Sequence, residues 1–225
     1  VKVEKGLGPQ GRIAVVRFDR GDNINALSQQ AMRELRDVPR DFEDDLETSV
    51  VILTGSAKAF SAGFDLKDPD GRARDGLPLG ERRHRARLGP KMCKAWQDMD
   101  QVTIAAVEGH CVGGGAALVV SLDFRTCGRS AHFRIPEIEL GMNMSWGSIP
   151  RMLALMGPAR TKQAVILASD RITAADAALS IGYFTEQRRA SHLHAAAARR
   201  ANGHESGLRT PSRPATALSM QTGRP

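Results

Sequence analysis

Two short segments hold residues whose types and spacing can do chemistry. One is Ala62-Gly63-Phe64-Asp65-Leu66-Lys67. The other runs Gly109-His110-Cys111-Val112-Gly113-Gly114-Gly115-Ala116-Ala117-Leu118. Each places a glycine turn after an apolar, strand-like run and before a helix-like run. Such turns leave backbone N–H groups unpaired and pointing outward. Two N–H groups that converge on one point can hold an oxygen as it gains negative charge. About fifty residues separate the segments, so only a fold that joins them makes the pair useful. Simple close packing of a helix on a sheet also explains glycines. Three in a row at a helix start are costly without a close backbone approach. Two nucleotide-binding readings fit poorly. The run is not a dinucleotide fingerprint, and no Lys-Ser/Thr follows it as in a phosphate loop.

The elements that must position these turns are legible in outline. Ile13–Phe18, 49–54, Val102–Val107, Asp123–Cys127 and 131–135 read as strands. From Ser28 to Leu46 the apolar residues recur at spacings of three and four, which predicts an amphipathic helix capped by Ser28 and broken near Pro39. Residues 68–90 read as a loop or a broken helix, and Pro90–Met99 as a helix. The triple glycine opens a helix through about Leu122, and helical patterns follow at 147–156, 158–168 and 173–180. Strands alternating with helices imply an α/β fold with a mainly parallel sheet.

A chain of 225 residues is long enough for one domain with a sizeable core. Apolar content of 41% and charge of 25% fit a globular protein without a membrane span. The start of the chain has no signal-peptide pattern. Three cysteines with no CxxC pair predict a reducing, cytoplasmic setting and no metal site. The net charge of +7 is concentrated in residues 187–225, which hold seven arginines against Glu205 alone. We therefore expect two parts: a body at 1–186, and a basic, partly disordered tail at 187–225 that begins with one polar helix. Arginines without interleaved aromatics support only sequence-independent phosphate contact, so nucleic acid is not the expected partner.

Four segments together resemble the crotonase family, the enoyl-CoA hydratases and isomerases. They are Asn25-Ala26-Leu27; Ala59-Phe60-Ser61-Ala62-Gly63-Phe64-Asp65-Leu66; Gly109 to Gly115; and Ile135-Pro136-Glu137-Ile138-Glu139-Leu140-Gly141. The likeness runs from about Arg12 to Phe184. It implies a spiral of ββα units, assembly as homotrimers or hexamers, and an acyl-CoA thioester substrate. Coenzyme A is then part of the substrate, with no separate cofactor. The resemblance assigns the two oxyanion N–H groups to Phe64 and Gly114, each contributing about 3–4 kcal/mol to the enolate-like state. It also implies that Ala26, Ala62, Asp65, Leu66 and Lys67 contact coenzyme A.

Hydratases of this family use two carboxylates. The resemblance puts one at Glu137 and the other where this chain has Ala117. A single glutamate can still move one proton between two carbons of an enoyl thioester, so double-bond isomerisation is the first expectation and weak hydration the second. A non-catalytic, RNA-associated homologue is the alternative from another class. Glu139 reads as an ion-pair partner. Ser145 stands where some relatives carry an aspartate, which argues against dienoyl isomerisation and dehalogenation. Trp146 and Met144 are expected to line the acyl pocket or to pack the core. His84 reads as a solvated loop residue, and His110 and His132 as non-catalytic. After Phe184 the sequence departs from the family's usual helices.

Overall fold

Short strands alternate between two sheets, and helices close each turn. The computed structural model describes residues 1–72, 76–168, 172–179 and 187–188. β1 (Lys2–Leu7) and β2 (Ile13–Arg17) form an antiparallel pair, followed by α1 (Gln29–Asp37). The next turn holds β3 (Val50–Thr54), β4 (Ala59–Ser61), α2 (Pro69–Arg72), α3 (Leu79–Ala86) and α4 (Leu88–Gln97). A third turn holds β5 (Val102–Val107), β6 (His110–Val112) and α5 (Gly114–Val119). The fourth holds β7 (Phe124–Gly128), β8 (His132–Arg134) and α6 (Ser148–Ile166). β9 (Ile172–Thr173), α7 (Ala174–Leu179) and β10 (Gln187–Arg188) complete the described elements.

β1, β2, the first strand of each later turn and β10 form a sheet ordered β1-β2-β3-β5-β7-β10. The second strand of each later turn, with β9, forms a smaller sheet ordered β4-β6-β8-β9. From β2 to β10 every pairing in the larger sheet is parallel. This is the ββα spiral that the resemblance implies.

Local chemistry explains the elements. β3 is buried at all five positions, as a parallel strand covered on both faces must be. Val51, Leu53, Ala105 and Val107 face the helices, where they meet Met32, Leu35, Met92 and the fully buried Trp96. Ile13, Val50, Ile52, Ile104 and Ala106 form a smaller cluster on the other side. Ser28 caps α1 as expected, its Oγ accepting from the Ala31 amide at 3.2 Å. Pro39 stops α1, and the chain tightens into a 3-10 turn at Val38–Phe42. Inside α6, Gly157 (φ 74°) breaks the helix ahead of Pro158, which matches the two separate helical patterns.

Five strands, β1, β4, β6, β9 and β10, are absent from the sequence reading. β1 is exposed at every position and so carries no alternation. β4 and β6 have only three residues each. The described residues of 68–90 include the short helices α2 and α3 and the start of α4. Gln187 and Arg188, expected to open a polar helix, instead pair in parallel with Cys127 and Gly128 at the sheet edge. The remainder of the expected tail lies outside the described residues.

Candidate active site

The two glycine turns meet. Gly63 has φ 85°, a conformation that only glycine takes without strain. A Cβ there would lie 2.6 Å from the Val112 carbonyl oxygen and 3.2 Å from the Gly114 nitrogen. The loop after β4 is therefore pressed onto the first residue of α5. Buried hydrogen bonds hold it there. The Asn25 side chain is fully buried and donates to the carbonyls of Phe18 (2.8 Å) and Ala59 (3.1 Å). Ser61 Oγ donates to the Asn25 carbonyl at 2.8 Å and accepts from the Gly63 amide at 3.1 Å. On either side of Phe64, the Leu27 amide donates to the Gly63 carbonyl at 2.7 Å and the Asp65 amide donates to the Leu27 carbonyl at 3.1 Å. That pairing leaves the Phe64 N–H outside the ladder. Neither it nor the Gly114 N–H has an acceptor among the described residues. Gly114 opens α5, so its amide also carries the positive end of that short helix.

Phe64 and Gly114 line a cleft of about 280 Å³, together with Ala117, Glu137, Met144, Ser145 and Trp146. Glu137 follows β8, and its carboxyl rests on Gly113, where a Cβ would stand 2.9 Å from Oε1. Its Oε2 is buried with no hydrogen-bond partner among the described residues. Burial pushes the carboxyl pKa above its usual range, opposed by a weaker hydrogen bond from its own backbone. A carboxylate so placed is a stronger base than one in water. No other carboxylate is among the cleft-lining residues, and Ala117 sits in the cleft one turn into α5.

The residues expected at coenzyme A form a second group beside this cleft. Asp65 Oδ2 pairs with Arg20 at 2.9 Å, and the same guanidinium donates to the Ala26 carbonyl at 2.8 Å. The Ala62 amide donates to the Ile24 carbonyl at 2.9 Å. Leu66 is exposed at the cleft wall, and Lys67 is exposed beyond it. Glu139 pairs with Arg134 at 2.6 Å, as expected. His84 lies on the exposed α3 and does not line the cleft. His110 and His132 face each other across β6 and β8, with 2.5 Å between Nδ1 and Nε2.

Several cleft residues were missed from sequence. Gln29 and Met32 reach it from α1, Arg85 and Ala86 from α3, and Gly89 from α4. Only Met32 carried a signal, as part of the α1 apolar stripe. The described residues contain no group of three or more His, Cys, Asp or Glu side chains able to hold a metal. None of the described helices is long and apolar enough to cross a membrane.

A family model described as enoyl-CoA hydratase/isomerase matches residues 8–202. The chain belongs to this family. Among similar proteins, the short-chain-enoyl-CoA hydratase of Clostridium acetobutylicum is 33% identical over 178 residues, 78% of this chain and 65% of that protein. The crotonyl-CoA hydratase of Syntrophomonas wolfei is also 33% identical, with the same coverage. The family chain described here thus spans 65% of the length of these relatives. In solved structures, the enoyl-CoA hydratase of Bacillus anthracis superposes with a TM-score of 0.78 at 28% identity, covering 87% of this chain and 74% of that one. An enoyl-CoA hydratase/carnithine racemase of Magnetospirillum magneticum gives 0.77 at 26% identity, with 87% and 72% covered.

Proposed function

We propose that this chain acts on an enoyl-CoA thioester through an oxyanion hole made of the Phe64 and Gly114 amides, with Glu137 as the only carboxylate that carries protons. The observation that supports this most is that Phe64 and Gly114, whose amides have no acceptor among the described residues, line one cleft with the buried carboxyl of Glu137. The thioester oxygen sits between the two N–H groups, coenzyme A runs past Ala26, Ala62, Asp65, Leu66 and Lys67, and the acyl group enters the cleft. On a 3-enoyl-CoA, the Glu137 carboxylate removes a proton from the α carbon. The resulting dienolate places its charge on the oxygen held by the amides. Glu137 then returns the same proton to the γ carbon, giving the 2-enoyl-CoA. One base is sufficient for this exchange, so the single carboxylate favours isomerisation.

Hydration is the second reading, favoured by the hydratase names of the relatives. Here Glu137 takes a proton from water as its oxygen attacks the β carbon, then delivers that proton to the α carbon. Both reactions place their enolate charge on the same thioester oxygen and use one carboxyl as base and acid. The test offers a 3-enoyl-CoA and a 2-enoyl-CoA to the wild-type protein and to Glu137→Gln. Product from the 3-enoyl substrate alone, lost in the variant, establishes isomerisation. Product from the 2-enoyl substrate alone establishes hydration. Equal rates in the variant remove Glu137 from either scheme. We extend the proposal to assembly as a homotrimer or hexamer, which sedimentation velocity checks.

A further inference from the structure

Trp146 stands in an improbable conformation for so large a residue. Its φ is 56°, and Gly147 follows at 70°. Non-glycine residues in this region are strained and persist only when their surroundings enforce them. The surroundings here are a clamp. Arg151 Nη1 donates to the Trp146 carbonyl at 2.9 Å, while Nε donates to Gln97 Oε1 at the end of α4 at 2.8 Å and Nη2 donates to the same oxygen. Ser148 Oγ closes the turn on the Ser145 carbonyl at 2.6 Å.

The clamp sets the indole across the gap between two helices. A Cβ on Gly89 of α4 would lie 2.1 Å from Cε2 and 2.5 Å from Nε1 of the ring. One on Gly114 of α5 would lie 2.6 Å from Cζ3 and 2.7 Å from Cη2. The ring therefore touches both helices, and neither position has room for a side chain while it stays. Gly114 is also the residue whose amide faces the thioester oxygen in the reading above. An acyl chain that starts there meets the indole within its first few carbons.

We propose that Trp146 is the specificity-determining wall of the cleft, and that the chain takes short acyl groups on coenzyme A and rejects long ones. Arg151 is the positioning residue that holds the wall. This rests on the acyl-CoA reading of the site. Calorimetric binding of butyryl-, hexanoyl-, octanoyl- and decanoyl-CoA tests it without requiring turnover. An open apolar groove binds more tightly as the chain lengthens, whereas a closed one rejects each added unit by about tenfold or more. We expect decanoyl-CoA to bind the wild-type protein at least tenfold more weakly than butyryl-CoA. Trp146→Ala should abolish or invert that order, and Trp146→Phe, which keeps a ring on the core, should fall between. Wild-type affinity that rises with chain length overturns the proposal, and so does an Ala or Phe variant whose series parallels the wild type. If the Ala variant does not fold, the wild-type and Phe series decide. Failure of the folded wild-type protein to bind even butyryl-CoA has a different meaning: it refutes the acyl-CoA reading, and the wall falls with it.

Discussion

Gly63→Ala is the sharpest perturbation of the proposed oxyanion geometry, because it changes no ionisable group. The added methyl carries two penalties. The first is conformational: a φ of 85° disfavours any Cβ by about 1–2 kcal/mol. The second is steric, since the new carbon would lie 2.6 Å from the Val112 oxygen and 3.2 Å from the Gly114 nitrogen. Both are backbone atoms, so no rotamer relieves the contact. The loop and the start of α5 must move apart by a large fraction of an ångström. A misplacement of about 1 Å at reacting groups lowers rates on the order of 100-fold. We expect kcat/KM to fall by about that factor, and Tm to fall by roughly 5–15 °C for a total loss of about 2–4 kcal/mol. Gly21→Ala is the control. Gly21 has φ 76°, but a Cβ there meets nothing within 4 Å, so it carries the conformational penalty alone. It should lower Tm by a few degrees and leave kcat/KM unchanged. A Gly63→Ala enzyme within threefold of wild-type activity would falsify the paired-amide site.

Other outcomes follow from the same contacts. Glu137→Gln should lower activity about 10²–10⁴-fold, and the wild-type rate should rise as pH passes the raised pKa of Glu137. Because the folded pKa is the higher one, protonation of Glu137 stabilises the fold at acid pH, and that contribution is lost as pH rises through the folded value. Thermal unfolding should thus find Glu137→Gln more stable than wild type at neutral pH, with the gap closing on acidification. Asn25→Ala leaves the Phe18 and Ala59 carbonyls and the Arg20 amide without their buried partner, and should cost about 2–4 kcal/mol in denaturant unfolding. Cys93, Cys111 and Cys127 are all buried, and burial pushes Cys93 up to about 11 and Cys127 up to about 12. Native protein at pH 8 should therefore leave a disulfide reagent unreacted, and denaturation should release these three thiols.

The parts of the fold legible in sequence are those where a local rule and the tertiary structure agree. β3 is apolar from Val50 to Leu53 and β5 from Ile104 to Val107 because both faces are covered. α1 starts at Ser28 and ends before Pro39 because a hydroxyl cap and a missing N–H act locally. The strands that escaped notice have no such rule. Three-residue strands such as β4 and β6 are made by their neighbours in the small sheet, and β1 pairs with β2 without burying a face. The same division runs through the cleft. Phe64, Gly114 and Glu137 sit in recognisable segments, whereas Gln29, Arg85 and Gly89 come from helix faces that meet the cleft only through the spiral.

The one ionisable group of the cleft that lacks a partner also shows how this spiral divides its labour. Glu137 keeps a buried oxygen without a donor among the described residues, a condition that costs folding free energy and raises proton affinity. The surroundings do not relieve it: Gly113 offers a flat backbone surface and Ala117 a methyl group. In the proposed reaction, charge stabilisation comes from elsewhere, from backbone amides on a loop held by Asn25 and Ser61 rather than from a mobile side chain. A carboxyl at position 117 would alter that balance by placing a second negative charge beside the first and raising its pKa further. Ala117→Glu should therefore move the pH–rate profile upward while it gives water a second group to bind. If hydration rises relative to isomerisation in that variant, the missing carboxylate is what limits the natural protein to one proton carrier. If the ratio is unchanged, water binding is governed by other residues of the cleft, and the argument from Ala117 fails.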